Sequence, residues 1–506
     1  MATITLLSPP LLINKWSYNT SLCPPLGLAY IASSLQHNNH KVQVIDGMGE
    51  APLNTFPGPI NTLQFHGITP SDIVSRIDPE TNIIGISCLF SFEWPVVKDL
   101  IKLARNRFPH VKIILGGEHC TAIPEFCLRE TWGPDYVVLG EGEDTIRELV
   151  IAIVEERNQL SNVAGIAYLD GKNFIKNIRR ARINDINSIP EPAWDLFPLE
   201  NYLNNSLGVG VNRGKSMPII ASRGCPYKCT FCSNASMWTS HYLARAPEKV
   251  IKEINKYVEK YGVSNIDFYD QTAIVKKSWI VNFCRLLIES NLDITWQLPS
   301  GTRHEALDAD VMPLLYKSGC RNLAYAPESG SVKILKNVKK NIKLKNITKS
   351  MKSSVKHGIK SKANIIFGFP FETKYDVLKS MVFIMRLAYS GVNDITISPF
   401  APYPGSELFT LLRAKNKIPQ LNDDYFLSLL SISDLKNDTS YSNSYSKHFL
   451  TAAQLIGYLL FYGISFLARP FRFYRLSRNI ITEKHETRLD KALSSLVFRI
   501  LRWKTK

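Results

Sequence analysis

The chain has few of the cysteines that a disulfide-stapled protein would need. Nine occur in 506 residues, and six of them, Cys23, Cys88, Cys120, Cys127, Cys284 and Cys320, are scattered singly. That scatter argues against a disulfide framework and fits a reducing compartment. The start of the chain also lacks a basic stretch leading into an apolar one, since Thr3-Ile-Thr-Leu-Leu reads as a strand. No signal peptide is expected, and the expected location is cytoplasmic. Acidic residues are in deficit, 44 against 61 Lys and Arg, which leaves a formal net charge of +17. The basic residues are not interleaved with a nucleic-acid motif, so nucleic acid is not an expected partner. The excess suits solubility, an acidic partner or an anionic membrane surface. The apolar share, 45%, is ordinary for a globular chain, and the length predicts two or three domains.

The other three cysteines are crowded together. Cys225, Cys229 and Cys232 lie in Ser222-Arg-Gly-Cys-Pro-Tyr-Lys-Cys-Thr-Phe-Cys-Ser-Asn. Three thiolates on one short loop can hold three irons of a 4Fe–4S cluster and leave the fourth without a protein ligand. A cubane held by four cysteines is built to pass electrons. One with an open iron can bind a substrate, as a catalytic zinc keeps an open position. Gly224 and Pro226 let the loop turn tightly and bring backbone near sulfur. The plainer alternatives are free thiols or a structural zinc knot, for which only His241 lies near enough to be a fourth ligand.

Before this loop, strand-length apolar runs alternate with helical stretches. Strands are expected at Thr3–Leu7, Val42–Ile45, Ile83–Ser87, Lys112–Leu115 and Tyr136–Leu139, with helices between and after them. That rhythm predicts a doubly wound parallel sheet over residues 1–155, with ligands at the carboxyl ends of its strands. A connector over 156–212 contains a hairpin with an Asp170-Gly171 turn. It also holds the proline-rich Ile189-Pro-Glu-Pro-Ala-Trp-Asp-Leu-Phe-Pro, in which Trp194 reads as a packing anchor. Six more strand candidates, Pro218–Ser222, Asn265–Tyr269, Ile294–Leu298, Asn322–Ala326, Ala363–Phe367 and Asp394–Ser398, predict a partial (β/α) barrel over 213–415. Its site belongs at the carboxyl ends of the strands, where the cysteine loop leaves the first. Lys339, Lys340 and Lys343 read as a solvated face.

Beyond 415 a helical region is expected. Phe449 to Ala468 carries no charge and is just long enough to span a bilayer, and Arg469, Arg472, Arg475 and Arg478 follow with Phe471, Phe473 and Tyr474 between them. Three readings are open: a lid packed over the barrel mouth, a segment at a membrane interface, and a true span. Interface contact would favour a lipid or other apolar substrate.

The CxxxCxxC spacing resembles the radical S-adenosylmethionine (SAM) superfamily, in which the open iron chelates SAM. The strand-end punctuation of the first third resembles the cobalamin-binding fold. It comprises Ser87-x-Leu89, Gly116-Gly117-Glu118, Asp46-Gly-Met-Gly-Glu-Ala, Pro24-Pro25-Leu26-Gly27 and Gly140-Glu141-Gly142-Glu143. Together they resemble the cobalamin-binding radical SAM family, which includes class B methyltransferases and magnesium-protoporphyrin ester oxidative cyclases, over roughly residues 1–410.

The resemblance implies three cofactors: a 4Fe–4S cluster on Cys225, Cys229 and Cys232, SAM, and cobalamin. It implies that Ser87, Leu89, Gly116, Gly117, Glu118 and Glu141 line the cobalamin site. Phe231 would cover the cluster or the adenine. Asp270, Gln271, Arg303, Glu328, Ser329 and Gly368 would contact SAM, with helix capping as the alternative for Asp270 and Glu328. Met48 stands where cobalt-ligating relatives carry a His, so no imidazole ligand is expected from that loop. His40 and His119 are expected at the surface or lining a pocket. Tyr403 is the one candidate for a catalytic side chain at the barrel mouth. The implied activity is methylation of an unactivated carbon of a small molecule, lipid or natural product, fed by a low-potential donor such as flavodoxin or ferredoxin. Oxidative cyclisation or rearrangement without methyl transfer, and a non-catalytic cobalamin sensor, are the alternatives.

Overall fold

The computed structural model describes residues 1–15, 22–155, 160–430, 439–482, 484–494 and 497. Its first sheet places five parallel strands side by side in the order Lys41–Asp46, Thr3–Ser8, Ile83–Ser87, Lys112–Gly116, Tyr136–Val138. By chain position this is 2-1-3-4-5. The order reverses between Thr3–Ser8 and Ile83–Ser87, and the crevice beyond the carboxyl ends there is the natural ligand position of such a sheet. Ile83-Ile-Gly-Ile and Ile113-Ile-Leu are unbroken apolar runs because parallel strands of this kind are covered on both faces.

The hairpin Ile166–Asp170/Asn173–Lys176 forms, with Gly171 at φ +57° in its turn. It is not a free connector, because it adds two antiparallel strands to the edge of this sheet beside Tyr136–Val138. A small antiparallel sheet of Leu11–Asn14, Leu63–His66 and Thr55–Pro57 was not expected. Its strands are three or four residues long, too short to show an alternation.

The barrel strands are Ser216–Ile219, Asn265–Phe268, Thr295–Thr302, Cys320–Glu328, Lys360–Phe367 and Asp394–Pro399, parallel and adjacent in chain order. The fifth shows how the layers divide. Ser361, Ala363, Ile365 and Phe367 are buried, while the intervening Lys362, Asn364 and Ile366 are only half-buried, as successive side chains point to opposite faces. The outer layer is closed by aromatic packing, with Phe268, Phe283 and Trp296 mutually edge-to-face at 5.5–5.6 Å.

The C-terminal region is helical as expected, and its long helix packs along the last barrel strand. Helix Lys447–Ala468 lies along helix Lys374–Tyr389 and the last strand. Gln454 Nε2 donates to Ile397 O at 2.9 Å, and Ile397 N–H donates to Tyr458 Oη at 2.9 Å. The helix thus answers backbone groups on the edge strand of an open barrel, which would otherwise be a pairing template. Just before it, Tyr445 reaches Glu372 and Gly368 at the carboxyl end of the fifth strand. Beyond it, Arg488 N–H donates to Asp394 at 2.7 Å and Lys360 pairs with Glu486 at 2.8 Å, both at strand starts. The region therefore runs down the open side from mouth to floor.

Candidate functional site

From the first barrel strand the chain turns through Ser222–Arg223, which pair with Leu243–Ala244, into the cysteine loop. Asp270, after the second strand, holds this turn. Its carboxylate accepts from Ala221 N–H at 3.1 and 3.2 Å and from Ser222 Oγ at 2.5 Å. Burial lifts its carboxyl to about 6, against the lowering pull of those donors. Asp270 is therefore a brace of the loop, with its carboxylate already accepting from Ala221 and Ser222. Gln271 beside it is exposed.

Gly224 has φ +81°, and a Cβ there would stand 2.2 Å from His241 O, so only glycine fits. Thr230, between the second and third cysteines, is pinned from both sides. Its N–H donates to Val338 O at 3.1 Å, and its O accepts from Leu408 N–H at 2.9 Å. Cys225 and Cys229 are half-buried and Cys232 is exposed. Among the described residues no three His, Cys, Asp or Glu converge on one ion-sized point.

Two cations flank the loop. Arg303 lies 3.5 Å over the Tyr227 ring and donates from Nε to Glu305 at 2.9 Å and from Nη2 to Asn341 O at 2.9 Å. Its Nη1 is buried without a partner. Lys340 is the second cation, and the expectation of a solvated face fails for it. It is 7% exposed, and its Nζ donates to Glu328 at 3.0 Å. Lys339 does sit at the surface, paired with Glu407 at 2.6 Å. Burial raises the Cys225 and Cys229 thiols above their ordinary value, and Lys340 and Arg303 pull both back down. Glu328 holds φ +63° at the carboxyl end of the fourth strand, a strained setting for a residue with a Cβ.

Other expected SAM contacts are committed elsewhere. Ser329 is wholly buried; its Oγ pairs with Ser380 Oγ at 3.1 Å and accepts from Ser331 N–H at 3.1 Å. Gly368 N–H already donates to Glu372 at 2.6 Å and to Tyr445 Oη at 2.9 Å. Burial lifts Glu372 to about 7, and its second oxygen is buried without a partner. Phe231 packs on Phe369 at 5.7 Å. Tyr403, the catalytic candidate, donates from its hydroxyl to Leu429 O at 3.1 Å and packs, partly buried, against a core.

On the first sheet, the crevice at the switch in strand order fits an extended nucleotide-like tail. Leu89 and Phe90, just past Ser87, are 46% and 47% exposed although large and apolar. A Cβ on Gly116 would meet nothing within 4 Å, while Gly117, at φ +128°, lies against Cys88 O, 2.2 Å from where a Cβ would stand. Met48 is buried with Leu22 and Tyr202, and Tyr202 Oη donates to Asp46 at 2.6 Å. The connector therefore stoppers the loop in which ligating relatives place their His. His40 is only half-buried, and its Nδ1 accepts from Ala2 N–H at 3.3 Å. His119 is neither at the surface nor lining a pocket: it is 1% exposed, between Trp94 and Phe426, with Nδ1 at 2.9 Å from Ser91 Oγ.

Two residues expected to line the cobalamin site also reach the barrel side. Glu141 pairs with Arg182 and, at 3.2 Å, with Arg223. Glu118 accepts from Ser233 Oγ, directly after Cys232. Sequence reasoning did not find Arg182, Arg223, Lys340 or Tyr445. Only Arg223, beside the first cysteine, offered any signal.

Comparison with known proteins follows this architecture. Residues 20–150 match the B12 binding domain and residues 219–384 the Radical SAM superfamily. An uncharacterized methyltransferase of Pyrococcus horikoshii is 30% identical over 420 residues, covering 82% of this chain and 84% of that one. The anaerobic magnesium-protoporphyrin IX monomethyl ester cyclase of Cereibacter sphaeroides is 28% identical over 326 residues, 63% of this chain and 51% of its own length. The radical S-adenosylmethionine methyltransferase TsrM of Kitasatospora setae, solved with cobalamin and a [4Fe-4S] cluster bound, shares the fold at TM-score 0.65 and 16% identity, covering 83% of this chain and 80% of that one. With both domain matches in order and a relative aligned along most of its length, this chain belongs to the cobalamin-binding radical SAM family.

Proposed function

We propose that the protein methylates an unactivated carbon of a small-molecule or lipid substrate held between its two domains. The observation that carries this reading is that the strand ends of the cobalamin-type sheet face the cysteine loop directly, through Glu118–Ser233 and Glu141–Arg223. Two chemistries that must meet at one carbon are thereby brought to one interface. Cys225, Cys229 and Cys232 would hold three irons. Arg303, with Nη1 unpaired, would take the SAM carboxylate in a charge-assisted bond. Gly301 and Ala326, against each other beside Asn364, keep side chains short where substrate would enter. Ser87, Leu89, Gly116 and Gly117 would line the corrinoid tail. When bound, cluster and SAM supply a 5′-deoxyadenosyl radical, and methylcobalamin supplies the methyl group.

The test is anaerobic reconstitution with a low-potential reductant, followed by mass spectrometry of nucleosides and candidate acceptors. The expected products are 5′-deoxyadenosine and an acceptor heavier by one methyl group, with Cys229→Ala abolishing both. An acceptor that loses hydrogen without gaining carbon would replace this reading with oxidative cyclisation, which the kinship to a cyclase supports. Both cofactors present without 5′-deoxyadenosine would leave a sensor.

The physiological reductant is proposed to be an acidic flavodoxin or ferredoxin. Lys228 and Lys339 border a cleft of about 280 Å³ beside Cys229 and Cys232, and the overall charge of +17 would attract it. Reduction by such a donor should slow as salt rises; a salt-independent rate would argue against it.

Helix Lys447–Ala468 is long and apolar enough to cross a membrane by length and composition. Its seal on the last strand uses one face, so peripheral contact in a cytoplasmic protein is the reading proposed. Leu455, Ile456, Leu459 and Leu467 form its exposed apolar side, continued by exposed Phe471 and Tyr474 on the next helix, Phe471–Ile481, with Arg478 exposed beyond them. Co-sedimentation with anionic vesicles, lost in Leu459→Glu/Phe471→Glu, tests it; equal binding by that variant would refute it.

A further inference from the structure

The Gly140-Glu141-Gly142-Glu143 loop of the cobalamin-type domain meets two arginines at the barrel, and all four charged side chains are at least nine-tenths buried. Arg223, two residues before Cys225, forks between two carboxylates: Nη1 to Glu141 at 3.2 Å and Nη2 to Glu143 at 2.6 Å. Its guanidinium also lies 5.1 Å over Tyr30 and 5.7 Å over Trp238. Arg182, from the connector, binds Glu141 and donates to Trp238 O and His241 O. Glu141 additionally accepts from Ile183 N–H at 3.1 Å. Three segments far apart in sequence therefore close on one another: the loop after the fifth strand, the connector, and both flanks of the cysteine loop.

We infer that Arg223, Arg182, Glu141 and Glu143 are positioning residues that fix the cysteine loop against the cobalamin-type domain and so set the cobalt-to-cluster separation. The inference rests on the functional reading above. A buried ion pair adds little net stability over an apolar replacement, yet it is unforgiving of losing one partner, because the other charge stays buried and unanswered. Such a network is a poor glue and a good gauge. The bond lengths and the fork geometry tolerate one register of the two domains. The Arg223 side chain is 5% exposed, with the Tyr30 and Trp238 rings beside its guanidinium, so a lost carboxylate leaves the charge poorly solvated. Lysine cannot serve both acceptors, since it presents a point charge where two separated nitrogens are used.

The experiment uses the full-length holoprotein, reconstituted with cluster and cobalamin and poised as reduced cluster with cob(II)alamin. Paramagnetic relaxation of one centre by the other, read by electron paramagnetic resonance power saturation, reports their separation without any turnover. Arg223→Lys and Glu143→Gln should retain both cofactors by absorbance and iron content, yet lose at least half of the relaxation enhancement. Glu143→Asp, which keeps the charge, should recover part of it. Lys256→Ala, which breaks an exposed pair with Glu191, should match the unaltered protein. Unchanged relaxation in Arg223→Lys and Glu143→Gln, with both cofactors bound, overturns the inference. Absence of cluster or cobalamin from the unaltered protein would instead overturn the functional reading. If a variant fails to fold, hydrogen exchange on the other decides: protection lost jointly at 140–143 and 222–241 supports the gauge, and protection lost in neither overturns it.

Discussion

His119 and Lys340 carry the opposite lesson to the three cysteines. The cysteine loop is legible because its spacing is local and its chemistry needs no other segment. Whether a lone His or Lys is buried depends on residues outside its own segment, twelve positions away for Lys340 and some three hundred for His119. His119 owes its setting to Phe426, and Lys340 owes its setting to Glu328 on a strained strand end. Burial holds the His119 imidazole at about 3, far below its ordinary 6.5. The sign follows directly: an unfolded chain takes up this proton first, so the stability His119 lends is whole above pH 6.5 and drains as pH falls toward 3. The loss is on the order of 4–5 kcal/mol. Denaturant melts of His119→Phe across that window should show a shallower acid slope than the unaltered protein; parallel slopes would mean the ring is already charged. At the cluster flank, Lys340→Met should destabilise by roughly 3 kcal/mol or more through the stranded Glu328 carboxylate. Lys340→Met/Glu328→Gln should recover much of that.

At the level of elements, the expected strands agree with the structure within a few residues, because alternating and unbroken apolar runs report burial directly. The strand-end contacts were harder to read. Asp270, Ser329 and Gly368 occupy the places expected of ligand contacts, but each spends its polar groups on a neighbouring backbone or hydroxyl. A motif shows which residue stands at a strand end and not whether its donors are free. The uncharged stretch Phe449 to Ala468 was visible as an apolar segment, while the surface it covers was not. Its use as an edge seal leads to a measurement: Gln454→Leu would leave Ile397 O with only the long Tyr458 Oη contact at 3.5 Å, costing about 1–3 kcal/mol. Urea melts should show that loss, with increased self-association by light scattering as the edge strand becomes available. An unaltered midpoint would show that Tyr458 suffices.

For the whole molecule, charge and domain arrangement act together. The net charge of +17 makes any vesicle contact part electrostatic, so binding to anionic vesicles should fall severalfold between 0.05 and 0.5 M salt, as rough working limits, while the apolar share persists. Binding lost entirely at high salt would assign the contact to charge alone. Composition, the βα rhythm, the cysteine spacing and the missing His at Met48 were settled along the chain, since each depends on neighbours within a few residues or on totals. The partners of Glu141 and Glu118, the burial of Lys340 and His119, and the course of the C-terminal helix were decided only in three dimensions. Each depends on which distant surfaces meet, and a linear pattern records that a side chain needs a partner without recording which one it finds.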